Sequence, residues 1–242
     1  MHSDPALHAY NCGMDIQTRD AAGQGPDGAD GEPRLRRLGR TGYREAWAEM
    51  QAFTDRRDGD TRDEVWLTEH PAVYTLGLAG RRAHLHPAAA AGGIDIVHSD
   101  RGGQVTYHGP GQVVMYVLLD LRRRRLGVRQ LVRLLEQAVI DCLQASGVAA
   151  LGRDDAPGVY VGAHKIAALG LKVRRGASYH GLALNVDMDL APFAAIDPCG
   201  YPGLTVTQTR SLGIECTPDE LAGRLAERFI HRLQANFPIL PR

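Results

Sequence analysis

The sequence lacks the features of membrane, secreted and zinc-binding proteins. Its 242 residues contain no apolar run of the roughly 18 residues that a transmembrane helix needs, and no basic-then-apolar export signal opens the chain. The cysteines are scattered and form no C-x-x-C pair or zinc-type spacing: Cys12, Cys142, Cys199 and Cys216. We therefore expect a cytoplasmic protein with free thiols.

Excess charge and the common nucleotide-binding and hydrolytic motifs are also missing. Lys and Arg total 28 and Asp and Glu total 28, so no general field that would attract nucleic acid or an anionic membrane is predicted. The chain contains no G-x-G-x-x-G, G-x-x-x-x-G-K-[ST], H-E-x-x-H or G-x-S-x-G. The sequence therefore gives no motif-based reason to expect a dinucleotide-binding protein, a P-loop nucleotidase, a zinc protease or a serine hydrolase.

The chain has enough apolar material for one substantial core. Hydrophobic residues make up 44% of the sequence, and the length is permitted for a single domain. Residues 1–33 are rich in Gly, Asp, Ala and Pro and show no apolar periodicity, so they cannot repay their ordering entropy. We predict a mobile extension at 1–33 and a single domain at 34–242.

Helical and strand patterns follow one another along that domain. Helical spacing appears after Thr41, from Val128 to Leu143, and after Thr217, where Thr217 and Glu220 form a capping box. Strand-like runs occupy 64–70, 73–79, 94–99, 112–121, 158–161, 165–173 and 179–186. The short breaks among the last three predict hairpins, and the continuous apolar run 112–121 predicts a central strand. The fold class is therefore α+β, with mixed or antiparallel sheets packed with helices.

Two segments are candidates for chemistry. Asp197-Pro-Cys-Gly-Tyr201 holds Cys199 between residues that punctuate the backbone, where a thiol can be presented rather than packed. Arg101 to Gln112 combines four glycines with polar and aromatic residues, so its backbone can approach a ligand closely. Cys142, by contrast, lies beside a helical apolar stripe and is predicted to pack in the core.

Two further patterns have competing interpretations. His84 and His86 would share one face of a strand and could bind a metal, but no third ligand is near in sequence, which favours two surface histidines. The run Arg122 to Arg125 is either a solvated face or a docking site for an acidic partner. The sequence alone leaves both questions open.

Five ordered blocks resemble the motifs of lipoyl(octanoyl) transferases: residues 101–112, 158–161, 165–170, 179–185 and 197–201. The resemblance runs from Trp66 to Pro202. It implies the fold of the biotin and lipoate protein ligase catalytic domain. It also implies transfer of an octanoyl (or lipoyl) group from acyl carrier protein to a specific lysine of lipoyl domains, the first step of endogenous lipoate biosynthesis.

The resemblance also implies roles for individual residues. Cys199 is then the acyl-thioester nucleophile and Lys165 its partner. The implied acyl pocket is lined by Arg101, Gly102, Gly103, Gln104, Val105, Thr106, Tyr107, His108, Ala168, Leu169, Gly170, Gly181, Leu182 and Ala183. The implied partners are octanoyl-acyl carrier protein, lipoyl domains of 2-oxoacid dehydrogenase E2 subunits and the glycine cleavage H protein. We expect a monomer without metal or other cofactor, and without nucleic acid or membrane partners.

Thiol chemistry explains why a lysine would accompany the cysteine. A thiol of ordinary pKa, about 8.5, is mostly protonated at neutral pH, so a nucleophilic cysteine needs a base or a positive charge beside it. Lys165 can supply either. Three alternatives remain open: His108 as the general base, an ATP-dependent lipoate or biotin ligase on the same scaffold, and a non-catalytic module that binds an acyl carrier.

Overall fold

A computed structural model describes residues 31–239, so nearly all of the predicted extension at 1–33 lies outside the described residues. In chain order the elements are β1 (Arg34–Arg40), α1 (Tyr43–Arg56), β2 (Glu64–Glu69), β3 (Val73–Leu76), α2 (Pro87–Ala91), β4 (Asp95–His98), β5 (Val105–His108), β6 (Gln112–Leu118), α3 (Val128–Gln144), β7 (Leu151–Gly152), β8 (Gly158–Val161), β9 (His164–Arg174), β10 (Ala177–Asn185) and α4 (Pro218–Asn236). Short 3₁₀ turns lie at Arg82–His84, Ala191–Ala195, Pro198–Gly200 and Arg210–Leu212.

The strands form two mixed sheets. The larger sheet has the order β1-β2-β6-β10-β9-β8-β7, and the smaller has the order β4-β3-β5. Strands β1 and β2 pair in parallel, as do β3 and β4, whereas β8, β9 and β10 form the predicted antiparallel hairpins. The α+β prediction is confirmed. Strands β1, β5 and β7 and the short helix α2 were not predicted: β1 is rich in arginine, β5 lies inside the glycine-rich block, and β7 and α2 have only two and five residues.

Strand β6 is the central strand that its apolar run predicted. All its residues are buried, and it pairs with β2 on one side and β10 on the other. Val113, Met115 and Val117 face a core that includes α3 and α4, while the alternate residues face a second core that includes α1. Alternation along a strand sends neighbouring side chains to opposite faces, so an unbroken apolar run indicates cover on both faces.

Helices α1, α3 and α4 begin where their sequence patterns predict. The α4 capping box is present: Glu220 N–H donates to Thr217 Oγ1 at 3.3 Å, and Thr217 N–H donates to Glu220 Oε2 at 2.8 Å. Cys142 on α3 packs in the core, as predicted, and burial raises the pKa of its thiol to about 12. In the part of the chain that the structure describes, no helix is both long and apolar enough to cross a bilayer.

The arginine run at 122–125 is in part a structural element of the fold. Arg124 is buried, and its Nε lies 2.6 Å from the buried carboxylate of Asp63. Arg123 and Arg57 contact the same carboxylate. A run of charged residues is solvated only when no distant residue of opposite charge pairs with it. Here Asp63, about 60 residues earlier, is that partner. Two of the four arginines are therefore structural, and Arg122 and Arg125 remain exposed.

Candidate active site

Cys199 lies in a strained turn that presents its thiol. The residue has φ +58°, a left-handed conformation that side chains other than glycine rarely adopt. Gly200 N–H donates to Asp197 O at 2.8 Å and closes the turn, and the Tyr201 hydroxyl donates to Asp155 O at 2.7 Å. Cys199 is half-buried, so the thiol can be reached from the adjoining cavity.

Lys165 is the second residue of β9 and is almost fully buried. Its backbone is tied to the segment that follows the cysteine turn, through Lys165 N–H to Thr205 O and Thr207 N–H to Lys165 O, both at 2.9 Å. Its Nζ donates to Cys199 Sγ at 2.9 Å and to Pro157 O at 2.9 Å. The fold thus brings an amine and a thiol that are 34 positions apart into hydrogen-bond contact.

Gly158, at the start of β8, provides the space that the lysine occupies. It has φ +145°, and a Cβ there would lie 2.3 Å from Lys165 Cε and 2.9 Å from Nζ. The same Cβ would lie 2.7 Å from the Ala167 carbonyl oxygen, which belongs to the backbone of β9. Only glycine therefore allows the lysine side chain to pass across β8 to the thiol.

A largely apolar cavity of about 340 Å³ adjoins the thiol. Thirteen of the fourteen residues predicted for the acyl pocket line it: Arg101, Gly102, Gly103, Gln104, Val105, Thr106, His108, Ala168, Leu169, Gly170, Gly181, Leu182 and Ala183. The exception is Tyr107, whose ring packs against Tyr74 and Phe193. Strand alternation turns Tyr107 away from the face that carries Thr106 and His108, so its place in the predicted pocket is corrected.

The cavity also has walls that motif analysis missed: Tyr43, Val114, Tyr116, Val128, Val132, Ala156, Pro157, Leu171, His180 and Tyr201. Some lie inside recognised blocks, but Tyr43, Val128 and Val132 come from the first turns of helices. Their helical apolar spacing predicted core contacts and contained no signal of a cavity. Together these walls can bury an acyl chain, and each buried methylene contributes about 0.8 kcal/mol of favourable transfer free energy.

Arg101 supports the loop over the cavity. Its guanidinium is buried and donates to Thr75 Oγ1 and O and to the carbonyls of Gly102 and Gln104, at 2.6 to 3.1 Å. No carboxylate within residues 31–239 forms an ion pair with it. Burial lowers the pKa of Arg101, and the negative charges of Tyr43 and Cys199 in their ionised forms oppose this shift. Arg101 thus places a buried cation near the thiol.

His108 is poorly suited to be the general base. Burial lowers its pKa to about 3, and nearby His70 and Arg101 add to the shift. Its Nδ1 lies 2.7 Å from Gln112 Oε1 and its Nε2 lies 3.4 Å from Thr75 Oγ1, so both nitrogens face protein partners. The side chain that contacts Cys199 Sγ is that of Lys165, whereas His108 lines the cavity.

The histidine pair at 84 and 86 is not on a strand. His84 ends a 3₁₀ turn and His86 precedes α2, and both are half-buried rather than fully exposed. Their rings contact the two carboxylate oxygens of Asp197, at 3.2 Å from His84 Nδ1 and 3.0 Å from His86 Nε2. Between residues 31 and 239, no three His, Cys, Asp or Glu side chains are grouped to hold a metal ion.

Comparison with known proteins places this geometry in a family context. Residues 42–230 match the model of the lipoyl protein ligase A/B catalytic domain. The chain is 56% identical over 199 residues to an octanoyltransferase of Nitrosomonas eutropha, covering 82% of this chain and 87% of the relative. It is 60% identical over 193 residues to an octanoyltransferase of Thiobacillus denitrificans, covering 80% and 87%.

Two solved structures share the fold. A bipartite lipoate protein ligase from Thermoplasma acidophilum superposes with a TM-score of 0.69 at 19% identity, covering 84% of each chain. A biotin protein ligase from Aquifex aeolicus superposes with a TM-score of 0.52 at 11% identity, covering 84% of this chain and 73% of the other. The predicted resemblance to the biotin and lipoate ligase fold is confirmed.

Proposed function

The chain belongs to the octanoyltransferases of the lipoyl protein ligase A/B catalytic domain family, and on that premise we propose that it transfers an octanoyl group from acyl carrier protein to a lysine of lipoyl domains. The proposal is supported most directly by one observation: Lys165 Nζ lies 2.9 Å from Cys199 Sγ beside an apolar cavity. A nucleophile, its base and a cavity for an acyl chain are the requirements of covalent acyl transfer.

In the first proposed step, Lys165 Nζ accepts the proton of the Cys199 thiol. The thiolate attacks the carbonyl carbon of the octanoyl thioester, and the bond from that carbon to the phosphopantetheine sulfur breaks. Lys165 then returns the proton to the departing sulfur. One thioester has replaced another, so this step needs no ATP, and the products are octanoyl-Cys199 and the free carrier thiol.

In the second proposed step, the neutral amine of an acceptor lysine attacks the octanoyl-Cys199 carbonyl. Lys165 accepts a proton from this nitrogen and delivers it to Cys199 Sγ as the carbon–sulfur bond breaks. The product is an amide and the free thiol is regenerated. Because Pro157 O also accepts a hydrogen bond from Nζ, the amine can remain aimed at the sulfur through both transfers.

The partners and setting of the reaction are part of the proposal. The acceptors are the lipoyl domains of 2-oxoacid dehydrogenase E2 subunits and the glycine cleavage H protein, and the reaction starts endogenous lipoate biosynthesis. We assign it to a cytoplasmic monomer with one catalytic domain at 34–242 and an extension at 1–33. One chain supplies both Cys199 and Lys165, so the proposed chemistry needs no second copy.

Intact-protein mass spectrometry tests the proposal. The wild type mixed with octanoyl-acyl carrier protein should gain one octanoyl group, and added lipoyl domain should remove it as the domain gains the same mass. Cys199→Ala should gain nothing. Activity of Cys199→Ser with free octanoate and ATP would instead establish a ligase, and binding without any product would establish a carrier-binding module.

A further inference from the structure

Behind the cysteine and the lysine lies a carboxylate that neither motif nor resemblance assigned. Glu136 is on α3, and its Oε1 accepts a hydrogen bond from Gly158 N–H at 2.9 Å. Gly158 follows Pro157, whose carbonyl oxygen accepts from Lys165 Nζ at 2.9 Å. A continuous series of contacts therefore runs from the helix through two backbone groups to the amine and then to the thiol.

The segment between β7 and β8 has few other supports. It is irregular from Arg153 to Pro157. Besides the bond from Lys165 to Pro157 O, its described hydrogen bonds to other elements come from the hydroxyls of Tyr160, to Ala156 O at 2.8 Å, and Tyr201, to Asp155 O at 2.7 Å, and from Arg133 Nη2 on α3, to Asp154 Oδ1 at 3.4 Å. The Arg133 contact joins two exposed side chains. Glu136 instead attaches the backbone at the end of the segment, Gly158, to α3, whose buried stripe packs in the main core.

The carboxylate is held in a restricted place. Glu136 is half-buried on a helix face that is otherwise mostly apolar. A Cβ at Gly152 would lie 3.1 Å from Glu136 Oε2. The backbone of β7 therefore packs against the carboxylate at a position where there is little room for a side chain. Burial raises the pKa of Glu136, while Gly158 N–H, Arg133 and Lys165 oppose the shift. The carboxylate is thus confined by Gly158 at Oε1 and by Gly152 at Oε2.

We infer that Glu136 is a positioning residue for the transferase reaction. By holding Gly158 N–H, it fixes the Pro157 carbonyl, which in turn aims the Lys165 amine at Cys199. The hydrogen bond, rather than the negative charge, carries this effect. Glu136 contacts neither the substrate nor the reacting atoms. The inference rests on the proposed function, since it concerns the rate at which Cys199 is acylated.

The test measures acylation of Cys199 in single turnover, with steady-state kcat and KM. Glu136→Leu removes the acceptor of the Gly158 N–H, so the Lys165 amine is free to move. A misplacement of about 1 Å can lower the reaction rate about 100-fold. We expect at least a tenfold slower acylation with KM for the octanoyl donor unchanged. Glu136→Gln keeps an acceptor oxygen and should acylate within about threefold of the wild type, a difference of less than one kcal/mol in barrier.

Gln137→Leu is the matched control. Gln137 is the next residue of α3 and donates to Asp141 on the same helix at 3.0 Å, without a hydrogen bond to the 153–158 segment. Its variant should acylate at the wild-type rate. If Glu136→Leu does not fold, Glu136→Asp, whose carboxylate is one methylene too short to reach Gly158, replaces it with the same expected loss.

The inference is overturned if Glu136→Leu acylates normally per folded molecule, even with a lowered melting temperature. It is equally overturned if Glu136→Gln is as slow as Glu136→Leu, because the charge would then be responsible. Failure of the proposed function looks different: the wild type itself would form no octanoyl adduct on Cys199.

Discussion

Replacing Gly158 with alanine tests the contact between Lys165 and Cys199 without changing either residue. The new methyl group would lie 2.3 Å from Lys165 Cε and 2.7 Å from Ala167 O. Real Cβ atoms do not approach other atoms this closely, and the carbonyl belongs to paired backbone in β9. The flexible lysine side chain must therefore move, and its amine leaves the thiol.

The expected loss of rate follows from the role of the amine. A positioned general base contributes about 10²- to 10⁴-fold to the step it serves, and acylation of Cys199 should slow by that factor in Gly158→Ala. The strained φ of +145° adds about 1 to 3 kcal/mol of destabilisation. The assay is rapid mixing with octanoyl-acyl carrier protein, acid quench and intact mass, with a thermal melt to establish the folded fraction.

Gly162→Ala provides the control within the same hairpin. Gly162 also has a left-handed φ, +58°, but a Cβ there meets nothing within 4 Å. It should lose about 1 to 2 kcal/mol of stability from backbone strain and acylate at the wild-type rate. If Gly158→Ala acylates as fast as the wild type, the amine does not activate the thiol. Equal slowing in both variants would assign the loss to hairpin strain instead.

Three further outcomes are expected. Asp63→Asn leaves Arg57 and the buried Arg124 without their carboxylate, and urea denaturation should show a loss of about 3 to 5 kcal/mol; a loss below 1 kcal/mol would contradict a structural role for this cluster. The pKa of His108 is about 3 folded and 6.5 unfolded, so the unfolded chain binds one more proton between these values. As pH falls from 6.5 towards 3, this group should lower the free energy of unfolding by about 1.4 kcal/mol per pH unit. In His108→Asn the free energy of unfolding should depend less steeply on pH by the same amount. Burial raises the pKa of Cys142 to about 12, so iodoacetamide at neutral pH should leave its thiol unmodified until the protein is denatured, and peptide mapping that found it labelled in the native state would contradict its core packing.

Local pattern was sufficient for most of the architecture and for singling out Cys199, whereas Lys165 was singled out by the family resemblance. Period-two and helical spacing gave the hairpins of β8 to β10, the capped start of α4 and the doubly covered β6, because each depends on neighbours within a few residues. The cysteine turn was recognisable from Pro198 and Gly200, which restrict the backbone around it. Strands β1 and β5 were not predicted because the arginine content of β1 and the glycines around β5 are unfavourable for a strand. In the fold, pairing with distant strands outweighs this low local propensity.

The sequence by itself determined most of the element types, which family the motifs resemble, and that Cys199 and Lys165 were the residues to test. Only the tertiary structure decided their partners. It brought an amine to a thiol across 34 positions, paired the buried Arg124 with Asp63, turned Tyr107 out of the cavity, and set Glu136 behind the lysine. The physical reason is that periodicity and turn chemistry act over a few residues. Ion pairs, cavities and catalytic contacts depend instead on which distant segments the core packs together.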